Sequence, residues 1–465
     1  MSNKIKVVVI GGGPGGYVAA IRAAQLGGEV TLIEKEYLGG TCLNVGCIPT
    51  KSLLHSAELY EEAKEAAKYG VIINDIKIDF TKVQERKSAV TKQLVNGVKG
   101  LLAANKVKVV TGEASFVSKD KVEVKTENKS EIIKADKFII ATGSVPAKPP
   151  ILGIDLEKCI DSTGALMLKE IPKSIVIVGG GVIGIEIATL YNSLGSKVVV
   201  VEMLDEILPM MDGELTKIIR AKLAKKGVEI FTSSKVMSFK EAGENIEVSV
   251  QMKDNSIKVF SGDKALISIG RRTNTSSLSL DKAGIKHDRG KIIANDKMET
   301  NVPGIYAVGD CLGKIMLAHI ASAQGEIAAE NALGQNKEFD SKTNPSCVYT
   351  KPEFASVGLT EEAAKAQGVD YIVGKFPLAA NGRSMIMGED GMIKIIAGKK
   401  YKEVLGAHIV GPRATDMIGE LSLAIGMEAT IDEVIETIHA HPTVAEAIKE
   451  ATLAVEKRAI HIPNR

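Results

Sequence analysis

Tryptophan is absent from the 465 residues, aromatic side chains amount to only 4%, and glycine reaches 45. That balance suits an α/β protein with many tight strand-to-helix turns. An excess of either charge is also missing: 59 basic residues stand against 57 acidic ones, which leaves no polybasic footprint and excludes nucleic acid as an expected partner. No apolar run approaches the roughly 18 residues that a membrane-spanning helix needs. The first apolar stretch, Lys4 to Ile10, runs into glycines rather than into a signal-peptide core, so the expected location is cytoplasmic or matrix-like, with no membrane association. Five cysteines, an odd number scattered over positions 42, 47, 159, 311 and 347, do not make a secreted disulfide framework. Cys159, Cys311 and Cys347 read most simply as small core residues.

The densest chemistry is in Gly39-Gly40-Thr41-Cys42-Leu43-Asn44-Val45-Gly46-Cys47-Ile48-Pro49-Thr50-Lys51. Two cysteines separated by four residues can be bridged only if the backbone bends sharply, and Gly46 permits a bend. Pro49 and the apolar spacing Leu53, Leu54, Ala57, Tyr60, Ala63 predict a helix with Pro in its first turn and an end at Gly70. Cys47 then lies near a helix N-terminus, where the dipole favours a thiolate. Taken alone the pair fits two readings equally, a redox disulfide loop or two buried reduced thiols.

The surroundings contain the same nucleotide signature twice. A β-branched strand over Lys6 to Ile10 enters Gly11-Gly12-Gly13-Pro14-Gly15-Gly16, a helical pattern follows to Gly27, and a second strand closes on Glu34. This is G-x-G-x-x-G on Gly11, Gly13 and Gly16 in its strand-turn-helix setting, with an acid 23 residues on (34 − 11). Gly11 makes the turn, Gly13 lets the backbone approach a pyrophosphate, Gly16 allows close helix packing, and Glu34 accepts from a ribose hydroxyl. The pattern recurs on Gly179, Gly181 and Gly184 with Glu202, again 23 residues on (202 − 179), so two dinucleotides are expected. Glu202 is followed by Met203 and Leu204 rather than by Arg, which favours NAD over NADP at the second site.

Between and after these units the pattern changes. A long helix over about 80–104 and short strands at 107–110, 122–124 and 138–140 lead to Ala141-Thr142-Gly143, and Pro146, Pro149 and Pro150 make a stiff crossover. The second unit closes at Gly270-Arg271-Arg272. A strand then delivers Gly309-Asp310 at its C-terminal end, the ligand side of an open parallel sheet, before a helix over about 317–333. From Asn344 on, strands at 347–349, 355–359, 392–396 and 404–410 precede two or three helices without any nucleotide signature. The expected fold class is therefore α/β, two Rossmann-like dinucleotide-binding domains plus a C-terminal α+β dimerisation domain. The expected boundaries are 1–145 and 271–343 for the first, interrupted domain, 146–270 for the second, and 344–465 for the last. His439-Ala440-His441 has no further ligand at zinc-site spacing, so no metal is expected.

With these residues assembled, the chain resembles the dihydrolipoamide dehydrogenases, flavin-dependent pyridine nucleotide-disulfide oxidoreductases, over essentially its whole length. The most specific segments are Gly39 to Lys51, the paired fingerprints, Gly309-Asp310 and His439 to Glu446. The resemblance implies that Gly11, Gly13, Gly16, Glu34, Thr142, Gly143, Asp310 and Ala318 bind FAD, with Lys51 close to the flavin. It implies that Gly179, Gly181, Gly184, Glu186, Glu202 and Gly270 serve NAD. Cys42 and Cys47 become the redox pair, Cys42 exchanging with substrate and Cys47 facing the flavin. His441 becomes the base, oriented by Glu446 and supplied across a homodimer to a shared site. The implied reaction reoxidises dihydrolipoamide carried on a lipoylated protein or an acyltransferase lipoyl domain, with electrons passing through FAD to NAD⁺.

Two segments depart from the family pattern: Thr273 stands where Pro is usual, and Ile320-Ala321-Ser322 replaces a commoner sequence at the flavin-facing helix. Both are expected to tune the flavin environment rather than remove activity. Because the chain begins at the first nucleotide unit, the lipoyl group is expected on a separate protein. Among rival readings, a mercuric reductase would carry cysteines in the tail Glu456 to Arg465, which has none, and a glutathione reductase would offer Arg after the second unit's acid. A redox-silent docking subunit would not need Cys42, Cys47, His441 and Glu446 together.

Overall fold

In the computed structural model, residues 4–127 and 129–464 are described; residues 1–3 and 465, the outer ends of the expected first and last domains, lie outside them. Lys6–Ile10 forms the middle of a five-stranded parallel sheet ordered Ile305–Ala307, Lys137–Ile140, Lys6–Ile10, Glu29–Glu34, Lys108–Thr111. Val7 to Ile10 are all buried, as a strand covered on both faces requires. One cover is the helix Pro14–Gln25, started by Pro in its first turn, which crosses the helix Ala318–Ala332. The crossing is close because both sides are small: a Cβ on Gly325 would lie 2.4 Å from the Gly15 carbonyl oxygen.

A second parallel sheet repeats the plan with Glu229–Phe231, Lys197–Val201, Ser174–Val178, Lys264–Ile267 and Cys159–Ile160. Each unit adds a three-stranded antiparallel meander, Glu113–Ser118, Lys121–Lys125 and Ser130–Lys134 in the first and 235–262 in the second, of which the sequence pattern announces only the strand at 122–124. The two crossovers between the units do not run separately. Ser144–Pro146, leaving the first, pairs antiparallel with Arg271–Thr273, returning from the second, and Thr273 is buried opposite Ser144.

The C-terminal domain is a five-stranded antiparallel sheet with the helices Ala414–Gly426, Ile431–Glu436 and Glu446–Val455. Its edge strand Tyr371–Pro377 was not expected, because Gly374 and Pro377 interrupt the strand pattern. The structure gives Gly374 a reason: a Cβ there would sit 2.1 Å from the Ala451 carbonyl oxygen of the covering helix. Lys394, fully buried in the sheet, reaches Asp212 at 2.9 Å and Glu361 at 2.6 Å, so a paired charge cluster ties this domain to the second nucleotide unit.

Candidate active site

Both fingerprint turns fold alike. Gly12 N–H donates to Glu34 Oε2 at 2.6 Å, and Gly180 N–H donates to Glu202 Oε2 at 2.6 Å. Each acid also takes a backbone N–H from two residues on, Glu36 at 2.8 Å and Leu204 at 2.7 Å. The carboxylate thus closes its own turn and is held at the mouth of the nucleotide cradle with lone pairs to spare. Gly16 and Gly184 allow the helix to touch the strand end: a Cβ would fall 1.8 Å from Gly11 O and 2.0 Å from Gly179 O. At Gly181 a Cβ would meet nothing within 4 Å, which leaves the space that an approaching pyrophosphate needs.

The cysteines do not sit in a simple loop. Cys42 belongs to a short helix, Gly40–Val45, and Cys47 is the first residue of a 19-residue helix, Cys47–Glu65, which a single turn of 3₁₀ helix prolongs to Gly70. Gly46 makes the break between them, and a Cβ on it would lie 2.9 Å from Thr41 O. Asn44 ties the short helix down by donating to Leu38 O at 3.0 Å and Gly40 O at 2.9 Å. Gly39 N–H donates to Gly12 O at 2.8 Å, so the redox segment is anchored on the first fingerprint. No disulfide joins the two sulfurs in this structure.

Their environments differ. The neighbouring Cys42 thiol and, after it, the Lys51 charge hold Cys47 below the ordinary thiol value, and Cys47 is exposed where Cys42 is half-buried. Cys42 is pushed far up by the neighbouring Cys47 sulfur and by burial. Cys47 is accordingly the sulfur that keeps a negative charge. Lys51 Nζ lies 2.8 Å from both carboxylate oxygens of buried Glu186, whose Oε1 also accepts from Tyr349 N–H at 3.0 Å. Lys51 also stands over the Tyr349 ring, 4.5 Å from its centre. Sequence reasoning missed Tyr349; nothing in its spacing distinguishes it from a strand residue.

One cleft of about 2230 Å³ joins these parts, more than twice the upper end of the roughly 300–1,000 Å³ of an ordinary small-molecule site. Gly11, Gly13, Glu34, Thr142, Gly143, Asp310 and Ala318 line one arm; Gly179, Gly181, Glu186, Glu202 and Gly270 line the other; Cys42, Cys47 and Lys51 lie in the same cleft. Gly16 and Gly184 stand behind their turns. Thr142 Oγ1 is buried without a hydrogen-bond partner among the described residues, and Asp310 offers a carboxylate nearby, so the first arm fits a cofactor with hydroxyls and carbonyls to bind. Asp310 is met by Ser144 Oγ at 2.5 Å, and Ser144 by Arg271. Burial pulls the Arg271 pKa down, against the charges of Asp310 and Cys47.

His441 and Glu446 are not in this cleft. His441 Nδ1 lies 2.9 Å from Glu446 Oε1, Glu446 Oε2 accepts from Thr443 N–H at 2.8 Å, and the imidazole is 80% exposed. Burial pushes the Glu446 carboxyl up, but the Thr443 N–H and His441 hold it below its ordinary value. Ile438, three residues earlier, is 93% exposed. The His441–Glu446 pair and the two thiols are thus built apart from one another within one chain. His439, the other half of His-x-His, is bound instead to Glu420 at 2.8 Å.

Residues 5–325 match the family model described as pyridine nucleotide-disulphide oxidoreductase, and residues 344–452 match its dimerisation domain. The chain is 46% identical to a dihydrolipoyl dehydrogenase of Bacillus subtilis over 98% of its own length and 97% of the relative's. It is 44% identical to the mitochondrial dihydrolipoyl dehydrogenase of Pisum sativum, covering 99% and 93%. Among solved structures, LpdA from Mycobacterium tuberculosis superposes with a TM-score of 0.89 at 28% identity, covering 96% of this chain and 99% of that one. The flavoprotein disulfide reductase RclA from Escherichia coli gives 0.87 at 30%, covering 97% and 99%. With both family models matched in order along the chain, this protein belongs to the pyridine nucleotide-disulphide oxidoreductases.

Proposed function

We propose that the protein is an NAD-dependent dihydrolipoyl dehydrogenase that reoxidises dihydrolipoamide carried on a separate lipoylated protein or acyltransferase lipoyl domain, as a cytoplasmic homodimer. The observation that carries this reading is the placement of Cys42 and Cys47 in one cleft with both dinucleotide cradles. In this reading residues 1–145 and 271–343 form the FAD-binding domain, 146–270 the NAD-binding domain and 344–465 the subunit interface. Glu34, Thr142, Gly143, Asp310 and Ala318 hold FAD with the first glycine turn; Glu202, Glu186 and Gly270 hold NAD with the second. FAD, when bound, supplies a two-electron relay from the dithiol to NAD⁺.

The protein's own residues do the thiol chemistry. Dihydrolipoamide brings two thiols, and His441 of the partner subunit removes a proton from one of them, since the thiol itself is a poor nucleophile. Glu446 of the partner subunit fixes the imidazole tautomer and stabilises the imidazolium. The thiolate attacks the Cys42 sulfur of the oxidised pair, forming a mixed disulfide and expelling Cys47 as thiolate. The second substrate thiol then closes onto the first sulfur and gives its proton to the departing Cys42, so that Cys42 leaves as a thiol, Cys47 stays a thiolate and the first proton stays on the imidazolium. Lipoamide leaves oxidised, and the pair remains reduced by two electrons. Lys51 stabilises the negative charge that stays on the flavin side. The exposure of His441 supports the shared site, because a base supplied to a second subunit must project from its own.

Anaerobic mixing of FAD-loaded protein with dihydrolipoamide tests the scheme. The expected result is a long-wavelength charge-transfer band from the Cys47 thiolate against the flavin. Bleaching of the flavin with no such band would overturn the assignment of Cys47.

A further inference from the structure

A three-member hydrogen-bond chain lies in the wall of the cleft at its first arm. Arg271 Nε lies 2.7 Å from Ser144 Oγ and Arg271 Nη2 lies 2.8 Å from Ser144 O, while Ser144 Oγ lies 2.5 Å from Asp310 Oδ2. The direction of each bond is forced. A guanidinium can only donate and a carboxylate can only accept, so the Ser144 hydroxyl must accept from Arg271 and give its own proton to Asp310. The fork of Arg271 grips Ser144 by side chain and backbone at once, which a single point charge cannot do. Arg271 is also delivered from elsewhere: its strand returns from the second nucleotide unit and pairs with the strand that carries Ser144.

We propose that Arg271 and Ser144 are positioning residues for FAD: they fix the Asp310 carboxylate through Oδ2 and leave Oδ1 to accept from a cofactor hydroxyl. The pocket is thereby completed by a side chain from the strand on which the chain returns from the second unit, paired with the strand of Ser144. This rests on the reading that Asp310 binds FAD.

The test measures FAD dissociation from the holoenzyme, by recovery of flavin fluorescence on dilution, for Asp310→Ala, Ser144→Ala, Ser144→Thr, Arg271→Met and Arg271→Lys. Losing a hydrogen bond to a charged group predicts FAD held about tenfold more weakly in Ser144→Ala and Arg271→Met. Arg271→Lys should be nearly as weak as Arg271→Met, Ser144→Thr should retain FAD as the parent does, and the Ser144→Ala, Arg271→Met double variant should be no worse than the weaker single one. NADH affinity should stay unchanged throughout. Full rescue by Arg271→Lys would show that charge and not the fork is at work, and would overturn the proposal. So would weak FAD in Asp310→Ala with parent-like FAD in Ser144→Ala, an arm that stands even if Arg271→Met does not fold. Parent-like FAD in Asp310→Ala would instead overturn the reading beneath it.

Discussion

The two nucleotide units differ least at the turn and most in the segment beyond the acid. Glu34 and Glu202 close their turns with the same 2.6 Å bond, and Gly16 and Gly184 leave room for the same close contact. After Glu34 the chain doubles back so tightly that a Cβ on Gly40 would lie 2.7 Å from Gly13 Cα, and this brings the helices of Cys42 and Cys47 against the first cradle. After Glu202 the chain opens into Met203, Leu204 and Met210, which are exposed and carry no nucleophile. In the proposed function the same ligand-binding device therefore serves two roles, and the reactive group comes from the segment laid across one of them.

The sharpest way to break this comparison is to remove the reactive group. Cys42→Ser should lower lipoamide turnover by at least about 10³-fold, the scale expected when a covalent nucleophile is lost, while NADH-to-dye activity persists. Cys159→Ser, in the second unit and outside the redox segment, should leave both activities near the parent's. Equal loss from the two variants, followed in the same steady-state assays, would contradict the division of labour.

A smaller effect separates the cradles themselves. Glu34→Ala should release FAD about ten- to a hundredfold more readily, and Glu202→Ala should weaken NADH by a similar factor with FAD retained, because each change removes a charge-assisted bond from one cradle. Flavin fluorescence and NADH titration of the same two proteins give the answer. If either variant weakened both ligands alike, the units would not be independent.

The repeat itself was legible because a G-x-G-x-x-G turn needs strand, glycines, helix and acid in fixed order, and all of these are local. The helix over Phe80–Ala104 was equally plain, since its apolar spacing persists for 25 residues. Other features depend on partners far away in sequence. The strand over Tyr371–Pro377 is disguised by Gly374, whose small size is explained only by the helix 77 residues on (451 − 374). Ser144, Arg271 and Tyr349 have no signature at all, because their roles arise from bonds made between residues far apart in sequence, Ser144 to Asp310 and Arg271, and Tyr349 to Glu186. The two cysteines of the expected redox loop occupy two helices rather than a loop, because Gly46 interrupts a helical path instead of forming a turn.

The finest distinction between the units concerns charge at the thiols. Lys51 reaches from the helix of Cys47 to Glu186 on the helix of the second unit, and its positive charge acts on Cys47 alongside the neighbouring Cys42 thiol. The Cys47 thiolate is lost as pH falls through its pKa. Lys51→Met removes a stabilising charge and leaves Glu186 unbalanced, so that pKa must rise, and the charge-transfer band of reduced enzyme should fade about one pH unit earlier in an acid titration. Glu186→Gln removes the opposing charge and should move the midpoint the other way. Glu202→Ala, on the same second unit but remote from the thiols, should leave the midpoint where it is. A shift of one sign in all three would mean that the titration reports the stability of the fold rather than the field at Cys47.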